Sequence, residues 1–312
     1  MTALLAQALA CWGWQQASCH FVAGRENQVF RVSAPEGAFA LRIKRPGYRH
    51  ADELQSEWQW LRALARAGVS VPTPQPSLAG RVLEAVEGHW VDALTWLPGQ
   101  PLGQSGEALA LPDAPDTFMR LGALMAQLHQ ACDDWPVPPS FSRCAWDREG
   151  LLGERPLWGR FWDNPDLDAD TRELMGHFRR RADAALREAQ DDWDYGLIHA
   201  DWVRENVLQE GNRLHLIDFD DGGWGYRLFD VATALIKNRA EPAFADLRAA
   251  LIHGYRSIRP LDVRQLDLFM ALRAVTYVGW IVPRLHEPGA LKRQARLVRD
   301  AQDLCAAWLQ QG

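Results

Sequence analysis

Residues 197–208 read LIHADWVRENVL, and residues 216–220 follow soon after as LIDFD. Each run begins with apolar residues of the kind that form buried strands. The polar stretch between the runs contains QEGNR, which has the composition of a hairpin turn. The pattern predicts a strand, a loop with Asp201 and Asn206, a second strand, a turn, and a third strand that ends at Asp218.

These side chains suit the chemistry of phosphoryl transfer. That reaction needs a carboxylate to orient or deprotonate the attacking hydroxyl, and an amide oxygen and a second carboxylate to hold Mg²⁺. His199, Asp201 and Asn206 have the H-x-D-x-x-x-x-N spacing of the kinase signature set, and Asp218-Phe219 gives its D-F step. A lone H-x-D would fit a solvated polar loop, but the full set between strands favours catalysis.

The bulk composition narrows the class of protein. A chain of 312 residues can form one large domain or two lobes. The net charge of −6, without a basic tract, predicts no nucleic-acid partner. Five cysteines without a C-x-x-C pair indicate reduced thiols, not a disulfide framework or a zinc site.

The apolar segments give no sign of a membrane span or a signal peptide. The first residues lack the basic start of a signal peptide. The longest apolar run, residues 268–283, is interrupted by Arg273 and is too short to cross a bilayer. We therefore expect a cytoplasmic protein without a membrane partner, and the sequence leaves its oligomeric state open.

The N-terminal part of the chain reads as hairpins of β-strands. The first turn contains Gly24 and Asn27, and a turn of this kind can place backbone N–H groups over a phosphate, although a single glycine is more often only a turn. On the strand over residues 39–44, alternation places Arg42 and Lys44 on one face. Basic residues also protect exposed sheet edges, but the strand order here favours contact with a phosphate.

One main helix is predicted over residues 51–67 from its apolar spacing. Glu57 lies at the edge of the apolar face, so it can turn toward the sheet and pair with Arg42. Glu53, one turn earlier, is the competing partner. Only one of the two cations is expected to be level with Glu57, and Lys44 lies where the strand is ending. We therefore expect Arg42 to be the main phosphate-binding cation.

The segment LPGQP at residues 97–101 breaks the chain. It predicts a boundary between an N-terminal nucleotide-binding lobe of residues 1–97 and a mainly helical C-terminal lobe of residues 98–312. Backbone groups of such a linker can meet an adenine edge, so Trp96 and Leu97 are candidates for nucleotide binding. Beyond it, residues 136–156 are expected to be an irregular surface segment and residues 222–226, GGWGY, a flexible loop.

From Phe21 to Trp280, the chain resembles the aminoglycoside phosphotransferase and choline kinase superfamily, the small-molecule relatives of protein kinases. The matching motifs are His199-x-Asp201-x-x-x-x-Asn206, Ile217-Asp218-Phe219, Gly24-x-Glu26-Asn27, Phe39-Ala40-Leu41-Arg42, Glu57 with Trp60-Leu61, Trp96-Leu97-Pro98-Gly99 and Arg227-x-x-Asp230. The resemblance implies a protein-kinase-like two-lobe α+β fold, with an antiparallel β-sheet and one main helix in the N-lobe and a mainly helical C-lobe. It also implies transfer of the γ-phosphoryl group of ATP, with Mg²⁺, to a hydroxyl group of a small molecule.

The resemblance also assigns roles to residues. Asp201 would be the catalytic base, Asn206 and Asp218 would bind Mg²⁺, and Glu57 would hold the phosphate-binding cation. Asp220 is a further candidate metal ligand. The candidate nucleotide-binding residues are Gly24, Asn27, Arg42, Lys44, Glu57, Trp96 and Leu97.

The chain departs from the family pattern on the catalytic loop. Ala200 stands where the family usually has glycine, and residues 203–205, VRE, replace His-Pro-Gly. We expect the loop to form, because these positions contribute backbone more than chemistry.

The acceptor remains open among aminoglycosides, choline, homoserine and similar amino alcohols. Two other functions also remain, a bacterial stress-response-type Ser/Thr protein kinase and a non-catalytic nucleotide-binding scaffold. The joint presence of Asp201, Asn206 and Asp218 speaks against the scaffold.

Overall fold

The computed structural model describes residues 2–24, 27–188 and 193–311. Arg25 and Glu26 of the first turn motif lie outside these described residues. The chain divides into two compact units. The first unit comprises residues 1–101, 134–143 and 207–220, and the second comprises residues 102–133, 144–206 and 221–312. The lobe boundary after residue 97 stays a prediction.

Strands and helices are numbered in chain order. The strands are β1 (Ser18–Ala23), β2 (Gln28–Ala34), β3 (Gly37–Ile43), β4 (Glu84–Val86), β5 (His89–Thr95), β6 (Gln100–Pro101), β7 (Ala145–Trp146), β8 (Tyr195–Ile198), β9 (Val207–Glu210), β10 (Arg213–Leu216) and β11 (Gly223–Tyr226). The helices are α1 (Ala3–Ala10), α2 (Ala51–Arg66), α3 (Ala114–Asp133), α4 (Arg148–Leu152), α5 (Ala169–Glu188), α6 (Arg227–Ile236), α7 (Phe244–Arg256), α8 (Leu266–Trp280) and α9 (Ala290–Leu309).

The first unit is built on an antiparallel sheet of five strands in the order β1-β2-β3-β5-β4. Alternate residues of the sheet, among them Val32 and Leu41, are buried with apolar residues of α1, such as Leu5 and Leu9. Strand β3 lies in the middle of this sheet, so its basic residues do not guard an exposed edge. The register of β3 with β5 sets Arg42 opposite Asp92.

Helix α2 begins at Ala51 as predicted and ends at Arg66, one residue before the predicted end. At its start, the Glu53 carboxylate accepts a hydrogen bond from the His50 backbone N–H at 3.0 Å, which satisfies one unpaired donor. Its buried face carries Leu54, Leu61 and Leu64 at the spacing of a helix stripe. Glu57 lies on this buried face, with 1% of its surface exposed. The helix therefore carries a carboxylate into the interior of the unit.

The predicted hairpin after the catalytic loop is confirmed, because β9 and β10 pair antiparallel in the sheet β10-β9-β6. Strand β10 ends at Leu216, two residues before the predicted end at Asp218. Its third strand, β6, follows Gly99, whose backbone has φ +102°. A Cβ atom on Gly99 would lie 2.7 Å from the Gln209 carbonyl oxygen. The glycine of the LPGQP segment is thus required for this close approach.

The second unit combines helices α3 to α9 with the small sheet β7-β11-β8. Nearly every residue of α8 is buried, which explains its apolar composition without a membrane. Across the described parts of the chain, no helix has both the length and the apolar character that crossing a membrane requires.

Two expectations for the second unit are wrong. Residues 223–226 form strand β11, not a flexible loop, and pair with both β7 and β8. Its glycines permit close packing, since a side chain at Gly223 would collide with the Cys144 carbonyl. Residues 136–156 contain β7 and α4, and Trp146 and Leu151 there are almost fully buried.

Candidate active site

The loop after β8 is shaped by the buried carboxylate of Asp230, near the start of α6. Asp230 accepts hydrogen bonds from the backbone N–H groups of His199, at 2.9 Å, and Ala200, at 2.6 Å. It also accepts from the indole N–H of Trp202 at 2.7 Å, and His129 Nε2 lies at 3.0 Å. This one carboxylate therefore fixes three positions around the candidate base.

The charge states in this cluster are consistent with that role. Burial and then Arg227 lower the pKa of His129 to about 4, so His129 is neutral and its Nε2 N–H can donate. Burial raises the pKa of Asp230, but the effects of His129 and His199 together outweigh burial, and the net pKa is lowered. The sequence motif includes Asp230, but its role as the anchor of the loop was not predicted.

Ala200 adopts the left-handed backbone conformation, with φ +63°. That conformation costs an L-residue about 1–2 kcal/mol, whereas glycine adopts it freely. The family's usual glycine at this position therefore has a backbone reason. The hydrogen bond from the Ala200 N–H to Asp230 holds the strained turn in place, and the loop forms as expected.

Arg204 and Glu205 also make side-chain contacts that the sequence did not predict. The buried guanidinium of Arg204 contacts Glu241 at 2.6 Å and Asn238 at 2.9 Å. Glu205 accepts a hydrogen bond from the Ser105 backbone N–H at 2.6 Å. These side chains hold the catalytic loop against Ser105, Asn238 and Glu241. His-Pro-Gly has neither the guanidinium nor the carboxylate that makes these contacts.

Asp201 is presented by this loop with 22% of its side chain exposed. Its Oδ2 accepts a hydrogen bond from Asn206 Nδ2 at 2.7 Å, and its Oδ1 accepts one from Arg273 Nη2 at 2.9 Å. Both carboxylate oxygens thus act as acceptors, as in the ionised form. Because the amide nitrogen of Asn206 faces Asp201, its amide oxygen is the atom that can ligate a metal.

Arg273, on α8, was not predicted as a site residue. Its surface is completely buried, and its Cζ lies 4.4 Å from the ring centroid of Trp158 and 4.3 Å from that of Tyr277. The signal that could have found it was the single arginine inside an otherwise apolar helix, since a buried charge is costly unless it has a partner or a role.

The first unit contains a dense cluster of charges around Arg42 and Lys44. Arg42 contacts Glu57 at 2.8 Å and both carboxylate oxygens of Asp92 at 2.7 and 2.6 Å. Lys44 Nζ lies 3.8 Å from Glu57, 3.5 Å from Asp92 and 3.2 Å from Asp220. The expected pairing of Arg42 with Glu57 is present, but the expectation that only one cation reaches Glu57 is wrong.

Two other carboxylates of the first unit differ from what the sequence suggested. Glu53, the competing partner, instead caps the start of α2 and pairs with Arg49 at 3.3 Å. Asp92 was missed, although an aspartate inside a buried strand is itself an uncommon feature.

Asp218 and Asp220, at the end of the LIDFD run, lie in different surroundings. Asp220 is buried, and Lys44 and the Asn27 amide contact its two oxygens. Burial raises the pKa of Asp220, but Lys44 and other nearby cations outweigh burial and hold the pKa well below its usual range. Asp218 is exposed and has φ +66°, a strained conformation that is concentrated at functional sites. Asp218 is thus the better placed of the two to meet an ion from solution.

The remaining nucleotide candidates lie near the first sheet. Gly24 directly follows β1, and Trp96 and Leu97 directly follow β5. The Arg31 guanidinium lies over the ring of Trp96, at 5.1 Å from its centroid. Trp96 and Leu97 are half-buried.

Comparison with known proteins gives this geometry a context. A family model described as the phosphotransferase enzyme family matches residues 19–269. The chain belongs to the phosphotransferase enzyme family. The chain is 31% identical over 238 residues to amicoumacin kinase of Bacillus subtilis (strain 168). The match covers 74% of this chain and 66% of that relative.

Two further relatives match a larger share of their own length. Homoserine kinase of Chelativorans sp. (strain BNC1) is 27% identical to this chain over 272 residues. The match covers 85% of this chain and 78% of the relative. The solved structure of a microcompartment-associated aminopropanol kinase has a TM-score of 0.87 at 28% identity, covering 98% of this chain and 97% of that one.

These findings confirm the resemblance inferred from the sequence and the kinase-like α+β fold. The chain is an enzyme of the kinase type of phosphotransferase. Its relatives are kinases, which implies a nucleotide as the phosphoryl donor.

Proposed function

We propose that this phosphotransferase moves the γ-phosphoryl group of ATP to a hydroxyl group of a small molecule, with Asp201 as the base. The observation that carries the proposal is the presentation of Asp201. Its carboxylate is partly exposed on a strained loop that Asp230 fixes, and Asn206 and Arg273 orient both of its oxygens. A group held in this way can accept a proton from an attacking hydroxyl.

For the donor nucleotide, the proposal assigns the phosphates to the cations of the first unit. Arg42 donates from Nε, Nη1 and Nη2 to Glu57 and Asp92, so it is rigidly placed. Lys44 has longer contacts of 3.2 to 3.8 Å and can shift toward a phosphate at less cost. Both cations are proposed to stabilise the charge of the transferring group.

Mg²⁺ is the metal that this chemistry uses, and it would neutralise the phosphate charges when bound. Asp218 and Asn206 each offer the oxygen ligand that Mg²⁺ prefers. Asp220, the other candidate, is proposed instead to hold Lys44, because protein groups already contact both of its oxygens. Gly24, Asn27, Trp96 and Leu97 remain predicted nucleotide contacts.

The small-molecule acceptor is supported by the relatives, which are named as kinases of amicoumacin, homoserine and aminopropanol. No observation favours the protein-kinase alternative over it.

The test is ADP release by the full chain with MgATP across a panel of small alcohols. We expect one or more alcohols to stimulate ADP release in the wild type. In Asp201→Asn we expect a loss of about 10²–10⁴ in kcat with nucleotide affinity nearly unchanged, because the base meets the acceptor. Equal stimulated turnover in wild type and variant would refute the role of Asp201. A complete absence of stimulation by any alcohol would overturn the proposed reaction.

A further inference from the structure

Two cations share one tyrosine ring on the second unit. Lys237, which directly follows α6, places its Nζ 3.5 Å from the ring centroid of Tyr277. The Cζ of Arg273 lies 4.3 Å from the same centroid. Arg273 also contacts Asp201, the proposed base, through Nη2. A pair of cations therefore lies beside the position where the acceptor hydroxyl is proposed to react.

Two of the three side-chain nitrogens of Arg273 lack a hydrogen-bond acceptor within the described residues. Nη2 donates to Asp201 and to the Tyr277 hydroxyl, both at 2.9 Å. Its Nε and Nη1 are buried and have no hydrogen-bond partner within the described residues. An unpaired buried donor destabilises the folded protein, and more so when it is charged. A ligand that provides an acceptor would remove this cost.

The aromatic rings around Arg273 do not supply that acceptor. The Cζ of Arg273 lies 4.4 Å from the ring centroid of Trp158 and 5.3 Å from that of Phe229. Rings interact with the flat face of a guanidinium, whereas its N–H donors lie in the plane. The in-plane donors Nε and Nη1 thus suit a carboxylate oxygen.

Lys237 is half-buried. Its ammonium has no carboxylate or hydrogen-bond partner in the parts of the chain that the structure describes. Burial, then Arg273 and Arg296, lower the pKa of Lys237 to about 7, against the smaller opposing effect of Asp201 and Glu205. An anion beside Lys237 would restore the balance of charge and favour its protonated form.

Aromatic rings near a base can also bind an ammonium group. Here the faces of Tyr277 and Trp158 already meet Lys237 and Arg273. A second cation at those faces would be repelled by two like charges. The arrangement therefore favours an acceptor that brings a negative charge to this point.

We infer that Arg273 and Lys237 bind a carboxylate group of the acceptor, so that the substrate is a short hydroxy acid; this inference rests on the proposed function. Arg273 contacts Asp201 through one nitrogen and leaves another nitrogen of the same planar group for the carboxylate. The carboxylate and the reacting hydroxyl are then only a few bonds apart in one molecule. Arg273 and Lys237 are thus residues that determine specificity.

The test compares matched ligands that differ in a single carboxylate. The pairs are homoserine with 3-amino-1-propanol, and glycerate with glycerol. Each is titrated calorimetrically into the full chain saturated with Mg²⁺ and AMP-PNP. The proteins are wild type, Lys237→Met and, as a matched control, Lys292→Met, which removes an exposed lysine.

In wild type and Lys292→Met we expect the acid to bind about tenfold more tightly than its neutral or cationic partner in one pair or both. In Lys237→Met that advantage should largely disappear, while binding of the partner changes little. Lys237→Arg keeps the charge and should keep the advantage, which separates loss of charge from loss of fold.

The pH dependence gives a second readout. The groups facing Lys237 are Arg273, Arg296, Asp201, Glu205 and the Tyr277 ring. The advantage of the acid should fall as pH rises through about 7 in wild type, and Lys237→Arg should remove this dependence.

The inference is overturned if no acid binds more tightly than its partner, or if Lys237→Met keeps the full advantage. The two failures remain distinguishable. Phosphorylation of alcohols without any preference for the acid refutes the carboxylate site and leaves the proposed function standing. Lys237-dependent binding of the acid without any phosphoryl transfer refutes the proposed function and leaves the anion site standing.

Discussion

Each unit of the molecule contains a neighbouring pair made of one arginine and one lysine, and the two pairs differ in what surrounds them. In the first unit, the three carboxylates around Arg42 and Lys44 are those of Glu57, Asp92 and Asp220. Burial and Arg42 act to lower the pKa of Lys44, but these carboxylates outweigh both, and the pKa is raised.

In the second unit, Arg273 and Lys237 have one carboxylate in contact, that of Asp201, and several aromatic rings. There the pKa of Lys237 falls to about 7. The same residue types are thus fully paired where several carboxylates surround them, and incompletely paired where carboxylates are scarce. The first arrangement suits a fixed electrostatic frame for phosphates, and the second suits recognition of an anion that arrives with the acceptor.

The different surroundings of Asp218 and Asp220 in the first unit predict different roles for the two carboxylates. Asp218→Ala should weaken Mg²⁺-dependent nucleotide binding about 100-fold, because Asp218 is the exposed ligand proposed for the metal. Asp220→Ala should act mainly on stability, because Asp220 neutralises Lys44. Calorimetry with MgATP and with ATP plus a chelator measures the metal-dependent part. If Asp220→Ala gives the larger loss of metal dependence, the assignments of the two residues are reversed.

Removing a carboxylate from the first cluster should leave its cations incompletely paired, as in the second unit, and should strongly destabilise the protein. Asp92→Ala should lower the free energy of unfolding by about 3–5 kcal/mol, since it leaves Arg42 buried without its two-point partner. Urea denaturation at neutral pH measures the change. The matched control is Asp262→Ala, which breaks the exposed pair with Arg264 and should be nearly neutral. Similar effects of the two substitutions would contradict the account of the buried cluster.

The two clusters also show which contacts a sequence can reveal. Strand alternation and helix periodicity placed Arg42 and Glu57 facing each other, and the structure has them 2.8 Å apart. Asp92 could not be found in this way, because its contact depends on the register between β3 and β5, which are separated by α2 and β4. Local patterns therefore predict the partner on the adjacent helix but not the one on the paired strand.

In the second unit, the sequence predicted the loop but not its supports. The spacing of His199, Asp201 and Asn206 identified the loop, since signature spacing is a local property. Arg273 was visible only as an interruption of an apolar run, and Lys237 only as the end of a helix. Their meeting at Tyr277 depends on how α6 packs with α8, which no local pattern contains.

The lysine of the first cluster can be tested by a neutral replacement of similar length. Lys44→Met should destabilise the protein by about 3 kcal/mol at neutral pH, because it leaves Asp220 and its neighbours with less compensating charge. The pKa of Lys44 is raised in the folded state, so its stabilisation is present below its usual pKa and is lost only as pH rises through the folded value. Urea denaturation should therefore show a nearly constant effect from about pH 6 to 9. A stabilising effect would mean that Lys44 does not offset the charge of these carboxylates.

The same substitution at Lys237 should have the opposite sign. The folded pKa of about 7 lies below the usual lysine value of 10.5, so the unfolded chain binds more protons between these two pH values. Stability contributed by this position therefore rises with pH across that window, and the protonated ammonium opposes folding below it. Lys237→Met removes this unfavourable charge. We expect the free energy of unfolding to rise by about 1 kcal/mol near pH 6, and this gain should shrink as pH approaches 10. Urea denaturation of the ligand-free protein at several pH values measures it, with Lys292→Met as the flat control. A loss of stability at low pH would show that Lys237 already has an anionic partner within the chain, and the contrast between the two cation pairs would disappear.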